Sequence, residues 1–162
     1  MRGVLTRWGT GKYSILSELL KKARKYFQSP RDVWLFLKVA LFIAVLPIYL
    51  RRYGMVEILE KMTPERQKNP ADREKLTVYV NWWLNRDIAM FKPTCMRRSL
   101  VLYRMLGEAG INVTIHYGIR KNPDGSNEGH SWLSLDGVCL PPDGNTAVDY
   151  KETFRFPPDE SI

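Results

Sequence analysis

Asp136-Gly137 stands between two apolar runs, Trp132–Leu135 and Val138–Leu140. An Asp-Gly pair accepts positive φ at both central turn positions, so it joins antiparallel strands through a two-residue type I′ turn. A turn of that length fixes the register. Leu135 pairs with Val138, Ser134 with Cys139 and Leu133 with Leu140; further out, His130 meets Asp143. Directly paired residues share a sheet face, with Cβ atoms about 4.5–5.5 Å apart. A carboxylate is therefore expected beside the imidazole of His130. Pro141-Pro142 intervene, and proline donates nothing to a ladder, so the strand there is an edge or bulges. A one-residue slip would turn Asp143 to the other face. Asp136 and Asp149 are the alternative carboxylates, although the turn already uses Asp136 and Asp149 lies beyond the register.

Upstream, Pro93-Thr94 prepares a helix start at Cys95. Met96, Leu100, Tyr103 and Leu106 form the apolar stripe of that helix, and Gly107 with Gly110 end it. A thiol in the first helical turn meets free backbone N–H groups and the positive end of the helix dipole. Both favour the thiolate, the reactive form. The same N–H groups can receive the oxyanion of a tetrahedral intermediate. The chain has only two Cys (Cys95, Cys139) and two His (His116, His130), so few other assignments compete. His116 is expected on the polar face of a strand in which Val113, Ile115, Tyr117 and Ile119 alternate with Thr114, His116 and Gly118. Cys139 reads as a small core residue. These four residues lack the close spacing of a compact zinc site, and neither a metal nor an organic cofactor is expected.

The N-terminal half reads as helical. Residues 12–28 carry an amphipathic pattern that Ser29-Pro30 breaks. Val33–Leu50 is apolar apart from Lys38 and sits at the lower length limit for crossing a bilayer. It is expected to be a buried or membrane-surface helix rather than a span. A short amphipathic helix over 54–62 follows, then a polar loop to Asp72, which caps a helix from about Arg73 to Asn85. Residues 121–129 are expected to be a loop, a second strand to begin at His130, and the acidic, proline-containing tail to lie on the surface. Helices followed by a small antiparallel sheet give an α+β fold. The expected organisation is a basic helical extension over 1–30, a hydrophobic helical region over 31–70 and a catalytic core over 71–162.

The net charge of +8 is concentrated at one end: residues 1–31 hold eight basic residues against one acidic. This points to a solvated basic helix, or to contact with an anionic lipid surface or acidic peptide. No nucleic-acid motif accompanies the charge. Two Cys without a disulfide framework suit a reducing compartment, and no convincing secretory signal is present, so a cytoplasmic location is expected.

The order Cys at a helix start, a strand, His-Ser-Trp on a strand and Asp on its hairpin partner resembles the transglutaminase-like cysteine protease core. More narrowly, it is similar to the leader peptidases of lasso-peptide biosynthesis. The likeness is carried by Phe91–Leu100, by Leu106–Val113 running to Tyr117–Arg120, and by Gly129–Leu133 with Asp136-Gly137. It implies Cys95 as nucleophile, His130 as base and Asp143 as orienter of the imidazole. It further implies removal of the leader from a ribosomally made precursor, with a separate leader-recognition protein and an ATP-dependent macrolactam cyclase as partners. The family usually has His-Ala-Trp and Cys-Leu where this chain has His130-Ser131-Trp132 and Cys95-Met96. Its Asp commonly follows the His by a dozen residues, where this chain has Pro142. An acyl transferase using the same triad, or a binding protein that keeps the fold without turnover, are the alternatives.

Overall fold

The computed structural model describes residues 24–64, 71–85, 94–141 and 149–158. The expected basic helix over 12–28 lies outside the described residues as far as residue 23. The chain divides into two compact units, residues 1–37 and 38–162. Helix α1 (Pro30–Arg52) begins in the first unit. Its start is a reciprocal cap: Ser29 Oγ accepts from the Asp32 N–H, and the Asp32 carboxylate accepts from the Gln28 and Ser29 N–H groups. Pro30 at the first helical position forfeits only an N–H that would have no intrahelical acceptor.

In the second unit, α1 buries Val39, Ile43 and Leu46. Lys38, which as a bilayer residue would have to snorkel, is ion-paired with Glu108 instead. Glu108 also accepts from Arg104 Nε at 2.9 Å, and Arg104 reaches the Met62 carbonyl at 2.9 Å. Helix α2 (Met55–Met62) buries Ile58, Leu59 and Met62. Val56 on the same helix is half exposed. Helix α3 (Arg73–Leu84) starts as expected at Asp72, whose carboxylate accepts from the Glu74 N–H at 2.8 Å. It buries Leu76, Tyr79, Val80 and Leu84.

Helix α4 (Cys95–Glu108) is the central element and buries Ser99–Tyr103, Met105, Leu106 and Glu108. It ends in a Schellman motif at Gly110, φ 83°, with Ile111 N–H bonded to the Leu106 carbonyl at 2.9 Å. Gly107 is not a stop. It lies inside the helix, where a Cβ would sit 3.0 Å from the Pro64 ring; the glycine allows close packing.

The sheet has four antiparallel strands in the order β3-β2-β1-β4. They are β1 (Thr114–Lys121), β2 (Asn127–Leu135), β3 (Val138–Cys139) and β4 (Lys151–Phe156). The fold is α+β. The hairpin register is as expected, with Ser134 opposite Cys139, Leu135 opposite Val138, and the Leu140 N–H on the Leu133 carbonyl at 2.8 Å. Asp136 and Gly137 hold positive φ, 50° and 78°. Three expectations are corrected. Strand β2 begins at Asn127, three residues before His130, because the 121–129 segment is a tight turn flanked by ladder pairs from Lys121↔Asn127 onward. The tail contributes β4, which pairs with β1 and half-buries Glu152, Phe154 and Phe156. His116 is buried, because the sheet face that carries it is covered as well.

Alternation assigns the two faces. One carries Ile115, Tyr117, Ser131 and Leu133 toward α4; the Ser99 hydroxyl bonds the Ser131 carbonyl at 3.1 Å, and Tyr103 packs edge-on against Phe156. The other carries His116, Gly118, His130, Trp132 and Ser134.

Candidate active site

Cys95 is the first residue of α4, and Thr94 is its N-cap, accepting from the Arg97 N–H through its side chain at 3.2 Å. The first backbone bond of the helix runs from the Arg98 N–H to the Thr94 carbonyl. The Cys95 and Met96 N–H groups precede that bond, so the helix itself provides them no acceptor. Cys95 is half-buried and a free thiol.

One turn along α4, Ser99 lies on the same side of the helix as Cys95. Its hydroxyl is bonded to the Ser131 carbonyl, and the Ser131 hydroxyl is 3.2 Å from it. Both serines are buried. Two small side chains at this crossing let the helix approach β2 closely. Strand β3 pairs with β2 only at Ser134 and Leu135. Among the described residues, the outer edge of β2 at His130 is therefore not covered by a strand.

His130 is half-buried and sits opposite Gly118. Its ring stacks on Trp132 with centroids 6.1 Å apart, and Tyr150 lies against it at 4.9 Å. The Tyr150 hydroxyl donates to Glu128 at 2.9 Å, and Arg120, paired with Glu128 at 2.7 Å, lies over the Tyr150 ring. Burial, then the bond to Glu128, push the Tyr150 phenol above its ordinary value, with the Cys95 charge adding to the rise. The Arg120 and Tyr150 hydrogen bonds hold the Glu128 carboxyl below its ordinary range. Burial pushes Tyr117 well up, and Cys95 again adds to it. The thiol is thus within electrostatic reach of Tyr117 on β1 and of Tyr150, the residue packed on His130.

Asp143 lies outside the described residues. Pro141, two positions before it, gives its carbonyl to Arg98 at 3.0 Å, and Arg98 also bonds Asn81. The first turn of α4 thus holds the end of the hairpin from which Asp143 follows. Asp136 is exposed in the turn, six residues along the strand from His130 and so about 20 Å away. Asp149 is within 3.6 Å of Arg120. Cys139 packs against the Trp132–Tyr150 cluster, as expected of a small core residue. Among the described residues, no cluster of three His, Cys, Asp or Glu is arranged to hold a metal ion.

Residues 35–155 match the model of the transglutaminase-like superfamily. The chain belongs to that superfamily. Its members are typically cysteine proteases or acyltransferases. No curated protein and no solved structure matches the chain.

Sequence reasoning passed over Tyr150, Glu128 and the Ser99–Ser131 crossing. Tyr150 had a usable signal, since it opens a short alternating run, Tyr150-Lys-Glu-Thr-Phe-Arg-Phe156. The serine crossing had none, because two isolated serines carry no pattern.

Proposed function

We propose that this transglutaminase-like chain is a cysteine peptidase that removes the leader from a ribosomally synthesised lasso-peptide precursor. Cys95 is the nucleophile, His130 the general base and Asp143 the orienter. The observation that supports the reading is the Ser99–Ser131 bond, which joins α4, one turn after Cys95, to the residue that follows His130.

In this mechanism His130 takes the Cys95 proton as sulfur attacks the scissile carbonyl. The Cys95 and Met96 N–H groups face the oxyanion that forms. The imidazolium returns its proton to the leaving amine, the C–N bond breaks, and a thioester remains. Water, deprotonated by His130, hydrolyses the thioester and restores the thiol. A separate leader-recognition protein presents the precursor, and an ATP-dependent macrolactam cyclase consumes the freed amino terminus.

The test is incubation with precursor and recognition partner, with products read by mass spectrometry. Wild type yields free leader and core, and Cys95→Ala yields neither. Cleavage by Cys95→Ala at the wild-type rate ends the proposal. Incorporation of an added amine in place of water would instead identify an acyl transferase.

A second observation concerns location. Helix α1 leaves Val33, Trp34, Leu37, Leu41 and Ile48 exposed at three-, four- and seven-residue steps. Its length and composition suffice to cross a membrane. Val39, Ile43 and Leu46 on its other side are buried in protein, and Lys38 is ion-paired there. Those contacts favour a helix lying in the interface of an anionic cytoplasmic membrane, with Arg31, Arg51 and Arg52 at its ends. Leu41→Asp should abolish co-sedimentation with vesicles containing phosphatidylserine. Unchanged co-sedimentation would remove α1 as the anchor.

A further inference from the structure

Four rings stand in a row on the sheet face opposite α4. His116 pairs with Trp132 across β1 and β2, and their rings stack at 5.4 Å with 6° between planes. Trp132 stacks in turn on His130, and Tyr150 closes the row.

His116 is held at both nitrogens. Its Nδ1 is 2.7 Å from Glu152 Oε2 and its Nε2 is 2.7 Å from Ser134 Oγ. Glu152 is fixed by Arg155 Nε at 2.5 Å. Burial works against the Glu152 charge, but the Arg155 and His116 hydrogen bonds outweigh it and hold the carboxyl below its ordinary range. Glu152 is therefore a carboxylate at neutral pH and accepts from Nδ1–H, while Nε2 is hydrogen-bonded to the Ser134 hydroxyl.

A bulge makes this arrangement possible. Tyr117 pairs with Phe154, yet Gly118 pairs with Glu152, so Thr153 is an extra residue in β4. Its hydroxyl donates to the Tyr117 carbonyl at 3.1 Å. Were Thr153 a regular ladder residue opposite Gly118, Glu152 would oppose Ile119 and turn toward the α4 face.

Hydroxyl, imidazole and carboxylate are connected here as in an acyl-transfer relay. Ser134 and His116 are only 6% and 8% exposed, however, so no substrate carbonyl reaches the hydroxyl. What the relay fixes is the plane of a ring. An imidazole bonded at both nitrogens cannot turn about its side-chain axis, and the indole stacked on it takes the same plane. Trp132 lies flat because Gly118, opposite His130, has no side chain: a Cβ there would be 2.9 Å from the indole.

We propose that His116 is a positioning residue for His130: clamped by Glu152 and Ser134, it holds the Trp132 indole as the platform that orients the His130 imidazole toward Cys95. This rests on the reading of His130 as the base. It extends the machinery to a second imidazole that touches neither substrate nor thiol.

The test is alkylation of the full chain by iodoacetamide across the pH range, with modification at Cys95 quantified by peptide mapping and thermal midpoints measured in parallel. His130→Ala should lower the rate at about pH 6 by about tenfold, the effect of a one-unit displacement of the profile. His116→Gln retains hydrogen-bonding groups for Ser134 and Glu152 but has no ring, so it should keep most of the thermal midpoint while its profile moves toward that of His130→Ala. His116→Phe keeps a ring but loses both bonds; its midpoint should fall while its profile stays nearer wild type. A wild-type profile in His116→Gln, beside a displaced one in His130→Ala, overturns the positioning role and leaves the base intact. An undisplaced profile in His130→Ala removes the base, and the positioning role with it.

Discussion

The Ser99–Ser131 crossing sets the distance between α4 and the strand that carries His130, so under the proposed roles of Cys95 and His130 enlarging it should damage chemistry more than stability. Ser99 is 2% exposed, with its hydroxyl 3.1 Å from the Ser131 carbonyl and 3.2 Å from the Ser131 hydroxyl. Ser99→Leu adds two heavy atoms where the structure has a direct polar contact. Carbon packs at about 3.5–4.0 Å, so the helix start must retreat by about 1 Å. Overpacking of this kind costs about 2 kcal/mol, and for a chain of this size lowers Tm by about 4–8 °C. A displacement of about 1 Å between reacting groups costs about 100-fold in rate. Ser99→Ala is the control: it loses hydrogen bonds worth about 1 kcal/mol but leaves the spacing unchanged, so its kcat/KM should stay within a few-fold of wild type. The assay is kcat/KM for precursor cleavage together with near-ultraviolet circular dichroism at the assay temperature. A folded Ser99→Leu protein with wild-type kcat/KM would refute the claim that this contact sets the geometry of Cys95 and His130.

Gly118→Ala places a methyl group against the Trp132 indole, which must tilt; cleavage should fall about tenfold or more while far-ultraviolet circular dichroism is unchanged. Glu108→Ala leaves Lys38 and Arg104 facing an emptied, largely buried site. Their side chains are about a quarter and a fifth exposed, so the cost should be about 2 kcal/mol, below that of breaking a fully buried pair, and is read from urea unfolding. Glu152 has a folded-state pKa below its ordinary value, so its contribution to stability is present above the ordinary glutamate range and is lost as pH falls through the folded value. Wild type should therefore lose stability on acidification more steeply than Glu152→Gln, and equal slopes would contradict the assignment.

Much of this arrangement was legible in the chain because short-range rules govern it. Asp136-Gly137 fixed the hairpin and therefore the register of Ser134 with Cys139. Thr94 and Asp72 announced their helices through capping chemistry, and Gly110 marked the end of α4. Other features depend on long-range contact. Gly107 looked like a stop, yet its lack of a side chain serves an approach by Pro64, forty-three positions earlier in the sequence. The charge at Lys38 looked like an exception in an apolar run, and its meaning came from Glu108, seventy residues away.

The bulge at Thr153 shows why His116 was the hardest residue to place. On an unbroken ladder, pairing Phe154 with Tyr117 would send Glu152 to the α4 face, and His116 would have no carboxylate. A single extra residue reverses that, and no local pattern in Lys-Glu-Thr-Phe announces it. The bulge brings Glu152 onto the face where His116, Trp132 and His130 already share a period-two row. The face of β2 that carries His130 is therefore organised from β4, an element outside the sequence motifs that contain Cys95 and His130. Deleting Thr153 removes the bulge yet leaves Glu152 opposite Gly118, on the His116 face, in a regular ladder. The deletion variant should therefore keep the wild-type Cys95 alkylation profile, and a profile displaced like that of His116→Gln would contradict this account of the bulge.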